Sequence, residues 1–160
     1  MTNLPEFLEP ELNLNGNWDE ICEMLYTIFY NDFIAAEPLR CGIFSVLVNK
    51  RKGDRNKEII FWHLITKQDE CSNRIPDFAR AKRIHWNKPT INNYGHPIVK
   101  KFDHLEGNRK IRRYLWLEDQ RFCIILQLNR KKACCYLITA FYVEGGYYHS
   151  LNRKYKNRLQ

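Results

Sequence analysis

Residues 112–143, RRYLWLEDQRFCIILQLNRKKACCYLITAFYV, decide the fold. Three runs rich in apolar, aromatic and β-branched residues (RRYLWLE, RFCIILQLNR and ACCYLITAFYV) are separated by Asp119 and Gln120 and by the basic turn at 130–132. Such runs, bounded by polar turns, predict consecutive antiparallel strands. Residue types alternate at Tyr114 and Trp116 and again at Cys135, Leu137 and Thr139. The unbroken CIILQL predicts a central strand covered on both faces. Outward from this stretch, PIVKKFDHL (97–105) reads as one more strand. HSLNRKYKNRL (149–159), after Gly145 and Gly146, reads as a basic terminal helix.

Toward the N-terminus, WDEICEMLYTIFYNDF (18–33) has apolar residues at 18, 21, 25, 28, 29 and 33, which is helical spacing. Asn17 is placed to cap this helix, and Asp19 and Glu20 suit its positive end. CGIFSVLVNK (41–50) and IIFWHLIT (59–66), joined by the charged RKGDRNKE, read as a β-hairpin with a long turn. DECSNRIPDF reads as a loop. A short basic helix is expected from about residue 76 to 86, then a turn and a second helical piece containing Pro89. The sum is an α+β fold: N-terminal helix and hairpin, short basic helix, then an antiparallel meander sheet of five or six strands with a C-terminal helix. The helices are expected mainly on one face. The 160 residues suit one domain, with residues 1–16 a flexible or loosely packed acidic segment.

Hydrophobic residues make up 44% of the chain, enough for a packed core. No apolar run reaches the length of a membrane span, and the N-terminus lacks a basic-then-apolar signal pattern. The expected location is therefore cytoplasmic, in the producing or a target cell, with no membrane partner. The six cysteines form no CxxC pair and are expected to be reduced. Their spacing, and that of His85, His96 and His104, gives little support to a metal site. No cofactor is expected: Walker, GxGxxG, GxSxG and HExxH patterns are all missing.

The net charge of +8 conceals an asymmetry. Residues 1–73 carry 7 Lys+Arg against 12 Asp+Glu, while residues 74–160 carry 19 against 6. A half with net charge +13, interleaved with aromatics, points to a polyanion partner such as RNA. The densest cationic segment holds Arg80, Lys82, Arg83, His85, Trp86 and Lys88. Its cations suit phosphates, and an indole can stack on an unpaired base, although Trp86 reads more naturally as a core anchor. His63 is either a core histidine or an acid–base group. Thr139 and Tyr142, near a strand end, suit hydrogen bonds to phosphate or simple β packing. Arg112, Arg113 and Lys154 are further candidates for backbone contact, against a plainer role as solvated or helix-end charges.

FWHLIT (61–66), RIPDFARAKRIHWNKPTI (74–91), YLWLED (114–119) and LITAFYVE (137–144), in that order, resemble phage- and toxin-associated nuclease domains. These belong to the barnase–EndoU–colicin–RelE superfamily. The resemblance implies helices followed by an antiparallel sheet, and a metal-independent endoribonuclease that cleaves tRNA or mRNA by 2′-OH attack on the adjacent phosphate. It casts His63 as acid or base, Arg83 with Lys82 or Arg80 as stabilisers of phosphorane charge, and Thr139 and Tyr142 as phosphate-positioning groups. It also implies an acidic antitoxin or immunity partner. His85 departs from the pattern, which has an apolar residue or proline there. A non-catalytic nucleic-acid-binding phage or accessory protein is the alternative. A third reading comes from residues 1–40, which hold 8 acids and one base: the acidic segment folds over the basic face as an internal phosphate mimic.

Overall fold

The computed structural model describes residues 3–160. Helix α1, Trp18–Phe29, starts at Asn17, whose Oδ1 accepts a hydrogen bond from the Glu20 amide at 2.9 Å. It buries Ile21, Cys22, Leu25 and Phe29, one face of a 3.6-residue repeat. A π-helical turn, Tyr30–Ile34, extends it.

Strands β1, Leu39–Cys41, and β2, Phe44–Leu47, form a hairpin through Gly42 and Ile43. Gly42 has φ +68°, which suits glycine in a two-residue turn. The expected partner strand at 59–66 is instead helix α2, Ile59–Ile65. Ile60, Phe61, Leu64 and Ile65 are buried there, a spacing of one and four that only a helix gives. A short apolar run carries too little periodicity to choose between strand and helix. The consequence is chemical. On a strand Trp62 and His63 would face opposite ways, whereas on α2 they lie together on the less buried side.

The predicted loop at 69–78 is in part a small ribbon, β3 (Thr66–Gln68) against β4 (Arg74–Pro76). Helix α3, Phe78–Ala81, a 3-10 turn at Ile84–Trp86 and helix α4, Asn87–Asn92, follow. Pro89 is tolerated in the first turn of α4, where its missing N–H has no helical partner. Then come β5 (Lys100–Leu105), β6 (Ile111–Leu117), β7 (Phe122–Asn129), β8 (Cys134–Tyr142) and α5 (Gly145–Lys156).

The main sheet has the order β1-β2-β8-β7-β6-β5. It is mixed rather than wholly antiparallel, because β2 runs parallel to β8. Leu115, Leu117, Ile124, Leu126 and Leu137 point into a core shared with α1, α2 and Trp86. Phe102, Tyr114, Trp116, Cys123, Ile125 and Phe141 point the other way, onto Leu151 of α5. Helices therefore cover both faces, which explains the unbroken apolar run of β7. Among the described residues, no helix is long and apolar enough to cross a membrane.

Residues 3–16 form no regular element, yet they are strapped down rather than loose. Leu8 is buried. Trp86 Nε1 donates to Glu9 O at 2.8 Å, and Leu12 N to Lys82 O at 2.9 Å. Glu11 bridges Arg83 at 2.7 Å and Lys82 at 3.1 Å. Arg83 is only 6% exposed, so Glu11 compensates a buried cation. Glu11→Ala is expected to lower stability by about 1–2 kcal/mol, a buried charge losing a partly exposed partner. Arg83→Met, which removes the buried charge itself, is expected to cost less. Urea denaturation midpoints of the two variants check this order.

Candidate functional site

The site grows from the C-terminal end of α2. A helix leaves its last carbonyls without helical partners and concentrates negative potential there, so cations are favoured. Two guanidiniums meet this need. Arg80, on α3, donates from Nη1 to His63 O at 2.9 Å and to Thr66 O at 3.0 Å. Arg74, on β4, donates from Nη2 to the same Thr66 O at 2.8 Å, and from Nε to Thr66 Oγ1 at 3.0 Å. One oxygen thus receives two cations. From β8, the Thr139 hydroxyl reaches His63 O at 3.3 Å and also lies 3.3 Å from Arg80 Nη1.

Thr139 is aimed by a β-bulge. Ile125 pairs with Thr139 while Leu126 pairs with Leu137, so Ile138 is an extra residue without a partner on β7. A bulge re-aims the side chains beside it. Asp77 completes the scaffold: one carboxylate oxygen caps α3 by accepting from Arg80 N at 3.1 Å, and the other lies 3.2 Å from Arg80 Nε.

His63, Arg74, Arg80 and Thr139 line a hollow of about 480 Å³, joined by Asn49 and Arg51. Its charge is mostly uncompensated, with three guanidiniums and Asp77 bound to only one of them. Burial pushes the pKa of Arg80 down; burial and the Arg80 charge do the same to Arg74. His63 falls below its ordinary 6.5 because it is half-buried and faces both cations. At neutral pH its ring is therefore uncharged and able to accept a proton. A second hollow of about 380 Å³ opens on the other side of Arg80 and Thr139. It is lined by Lys67, Arg112, Tyr142 and Tyr147, with Asp77 and Glu144 beside them. Arg112 Nε is buried without a hydrogen-bond partner.

The structure thus brings together His63, Arg80 and Thr139, with Tyr142 and Arg112 next door. It does not bring Arg83 to this cleft. Its guanidinium lies behind Tyr142, 4.3 Å from that ring, and is bound to Glu11. Lys82 is tied to the same carboxylate. His85 Nε2 is 2.7 Å from Pro10 O, under the strap. Trp86 is 2% exposed and packs edge-on to Phe122 in the core. Lys88, on α4, is near Asp32 instead. Arg113 forms a two-point pair with Asp103 at 2.8 and 3.1 Å, away from Arg112 on the opposite sheet face. Lys154 is held by Glu106 and the Tyr114 hydroxyl.

Sequence reasoning passed over Arg74 and Arg51. Arg74 belongs to the quoted RIPDF stretch, but a segment read as a loop gave no reason to aim its side chain. The β3–β4 pairing supplies that reason. Among the described residues, no group of three or more His, Cys, Asp or Glu side chains is placed to hold a metal ion. No protein-family model matches the chain, and neither does any curated protein or solved structure.

The histidine makes stability depend on pH with a definite sign. Its folded pKa lies below the unfolded value, so the unfolded chain binds the proton first as pH falls. This contribution is present above pH 6.5 and is lost as pH falls through the folded pKa. Arg74→Ala is expected to raise the His63 pKa toward 6.5 without reaching it, because burial is the larger cause. An NMR titration of the imidazole checks both the low starting value and the direction of the shift.

Proposed function

We propose that this protein is a metal-independent endoribonuclease of the toxin type, related in fold to the barnase–EndoU–colicin–RelE superfamily and active in the cytoplasm of a producing or target cell. The observation that carries the reading is the pair of guanidiniums sharing Thr66 O beside a neutral, half-buried imidazole. Cations held close together with little counter-charge suit a phosphodiester, which brings the missing negative charge.

In the chemistry that follows, His63 takes the proton of a ribose 2′-OH. The 2′-oxygen attacks the adjacent phosphorus, and the bond from phosphorus to the 5′-oxygen breaks. The products are a 2′,3′-cyclic phosphate and a 5′-hydroxyl, whose proton comes from water in the open cleft. Arg80 and Arg74 stabilise the extra charge of the phosphorane, and Thr139 orients a non-bridging oxygen. Arg83, the stabiliser expected from the sequence, is replaced in this role by Arg74. RNA is the partner, and an acidic antitoxin or immunity protein would suit the same cationic cleft.

A second reading, binding without cleavage, has its own support. The residues lining the hollow include no carboxyl group and no histidine besides His63, so no companion acid stands ready for the leaving oxygen. The two readings separate in one assay. The protein is incubated with total tRNA and with mRNA in EDTA. Cleavage is expected, rising with pH through a midpoint below pH 6.5 to a plateau. His63→Ala is expected to lower the rate about a hundred- to ten-thousand-fold, and Arg80→Ala by a comparable factor. Binding that weakens steeply with salt but leaves intact RNA supports the second reading. Full cleavage by His63→Ala removes the first.

A further inference from the structure

His63 and Arg74 have a second exposed side. Both also line a separate hollow of about 360 Å³, whose other walls include Trp18 and Trp62. Trp18 comes from the first turn of α1 and Trp62 from α2. Both indoles are only partly buried against the core, unlike Trp86 and Trp116, which are 2% and 0% exposed. The Trp62 ring is fixed, because its Nε1 donates to Asp54 O at 3.0 Å. Trp18 is braced edge-on by Phe78 at 5.5 Å. Gly53, Asp54 and Arg55 form the polar rim, and the Arg55 guanidinium lies over the Trp62 ring, 5.9 Å from its centroid. Arg55 itself is engaged with Asp19 at 2.6 Å, so its charge is largely spoken for.

Resting on the phosphodiester reading above, we propose that this hollow is a nucleobase subsite. The base of the nucleotide at the bound phosphate enters between the walls carrying Trp18 and Trp62, while its phosphate stays with Arg74 and Arg80. Three features favour a base over another occupant. Trp18 and the face of Trp62 not covered by Arg55 offer π surface that any base can stack on. The two hollows share Ile59, His63 and Arg74 as a common wall, so the aromatic surface adjoins the phosphate position. The rim supplies a carboxylate, Asp54, that can accept from a base N–H, so bases with a donor edge are preferred. A purely apolar ligand would leave Asp54 and Arg74 unused, and a plain anion would leave the indoles unused.

The test uses the intact protein and an unreactive single-stranded hexanucleotide with 2′-deoxyribose, which cannot be cut through a 2′-OH. Inorganic polyphosphate of matched charge is the comparison ligand. Tryptophan fluorescence is followed during each titration, and circular dichroism checks that each variant is folded. The hexanucleotide is expected to quench the fluorescence and to bind about tenfold or more tightly than polyphosphate. Trp62→Leu, which keeps apolar bulk without the π face, is expected to reduce the hexanucleotide to polyphosphate affinity. Arg80→Ala is expected to weaken both ligands. Equal affinities for the two ligands, or a Trp62→Leu variant that still prefers the hexanucleotide, overturns the base subsite and leaves the phosphate site standing. Indifference of both ligands to Arg80→Ala overturns the phosphate site, and the subsite with it.

Discussion

The carbonyl oxygen of Thr66 holds the candidate site together. It ends α2, opens β3, and receives one guanidinium from β4 and one from α3. Four separate pieces of chain are joined through this contact and its neighbours at His63 O, with Thr139 of β8 as the fifth. Each link satisfies a group that would otherwise be orphaned at a helix end. The result concentrates positive charge where the fold needs it, and presents the surplus to whatever enters the cleft. Burial, reinforced by the same cations that close the helix, keeps His63 neutral. Structure and chemistry are inseparable here, since removing either arginine alters both the packing and the proton affinity of the ring.

The acidic strap is the second organising feature, and it acts on different cations. Glu11 takes Arg83 and Lys82, and the backbone of residues 9–12 takes Trp86, His85 and Lys82 O. The segment thus does fold onto part of the basic stretch, as one reading of the sequence held. It neutralises the far side of α3 and the turn that follows, not the side carrying Arg80. Helix α3 and the turn after it send their arginines in two directions: Arg83 into the body of the protein against Glu11, and Arg80 into the cleft.

The meander from β5 to β8 and the terminal helix were legible because long, strongly patterned apolar runs leave little choice of secondary structure. The α1 boundary was legible for a chemical reason, the Asn17 cap. Residues 59–66 were not. Six apolar positions fit a strand and a helix alike, and tertiary burial of Ile60, Phe61, Leu64 and Ile65 made the choice. The family resemblance cast His63, Arg83 with Lys82 or Arg80, and Thr139 in one site; His63 and Thr139 do meet, His63 on a helix rather than a strand, but the cation between them is Arg80 and not Arg83. The split between Arg80 and Arg83 was invisible, because the end of α3 at Ala81 and the turn after it decide which side each cation faces. Arg74 was hidden for a similar reason: its direction depends on a three-residue ribbon with no sequence signature of its own.

The most direct test of the account is a crystal structure of the protein with a 2′-deoxy dinucleotide bound. The phosphodiester is expected within hydrogen-bonding distance of Arg74 and Arg80, with the 2′ carbon of the upstream sugar turned toward the His63 ring. A phosphate seated instead on the basic C-terminal segment, at Arg153 or Lys156 of α5 or at Arg158 beyond it, with the Thr66 cleft empty, contradicts it.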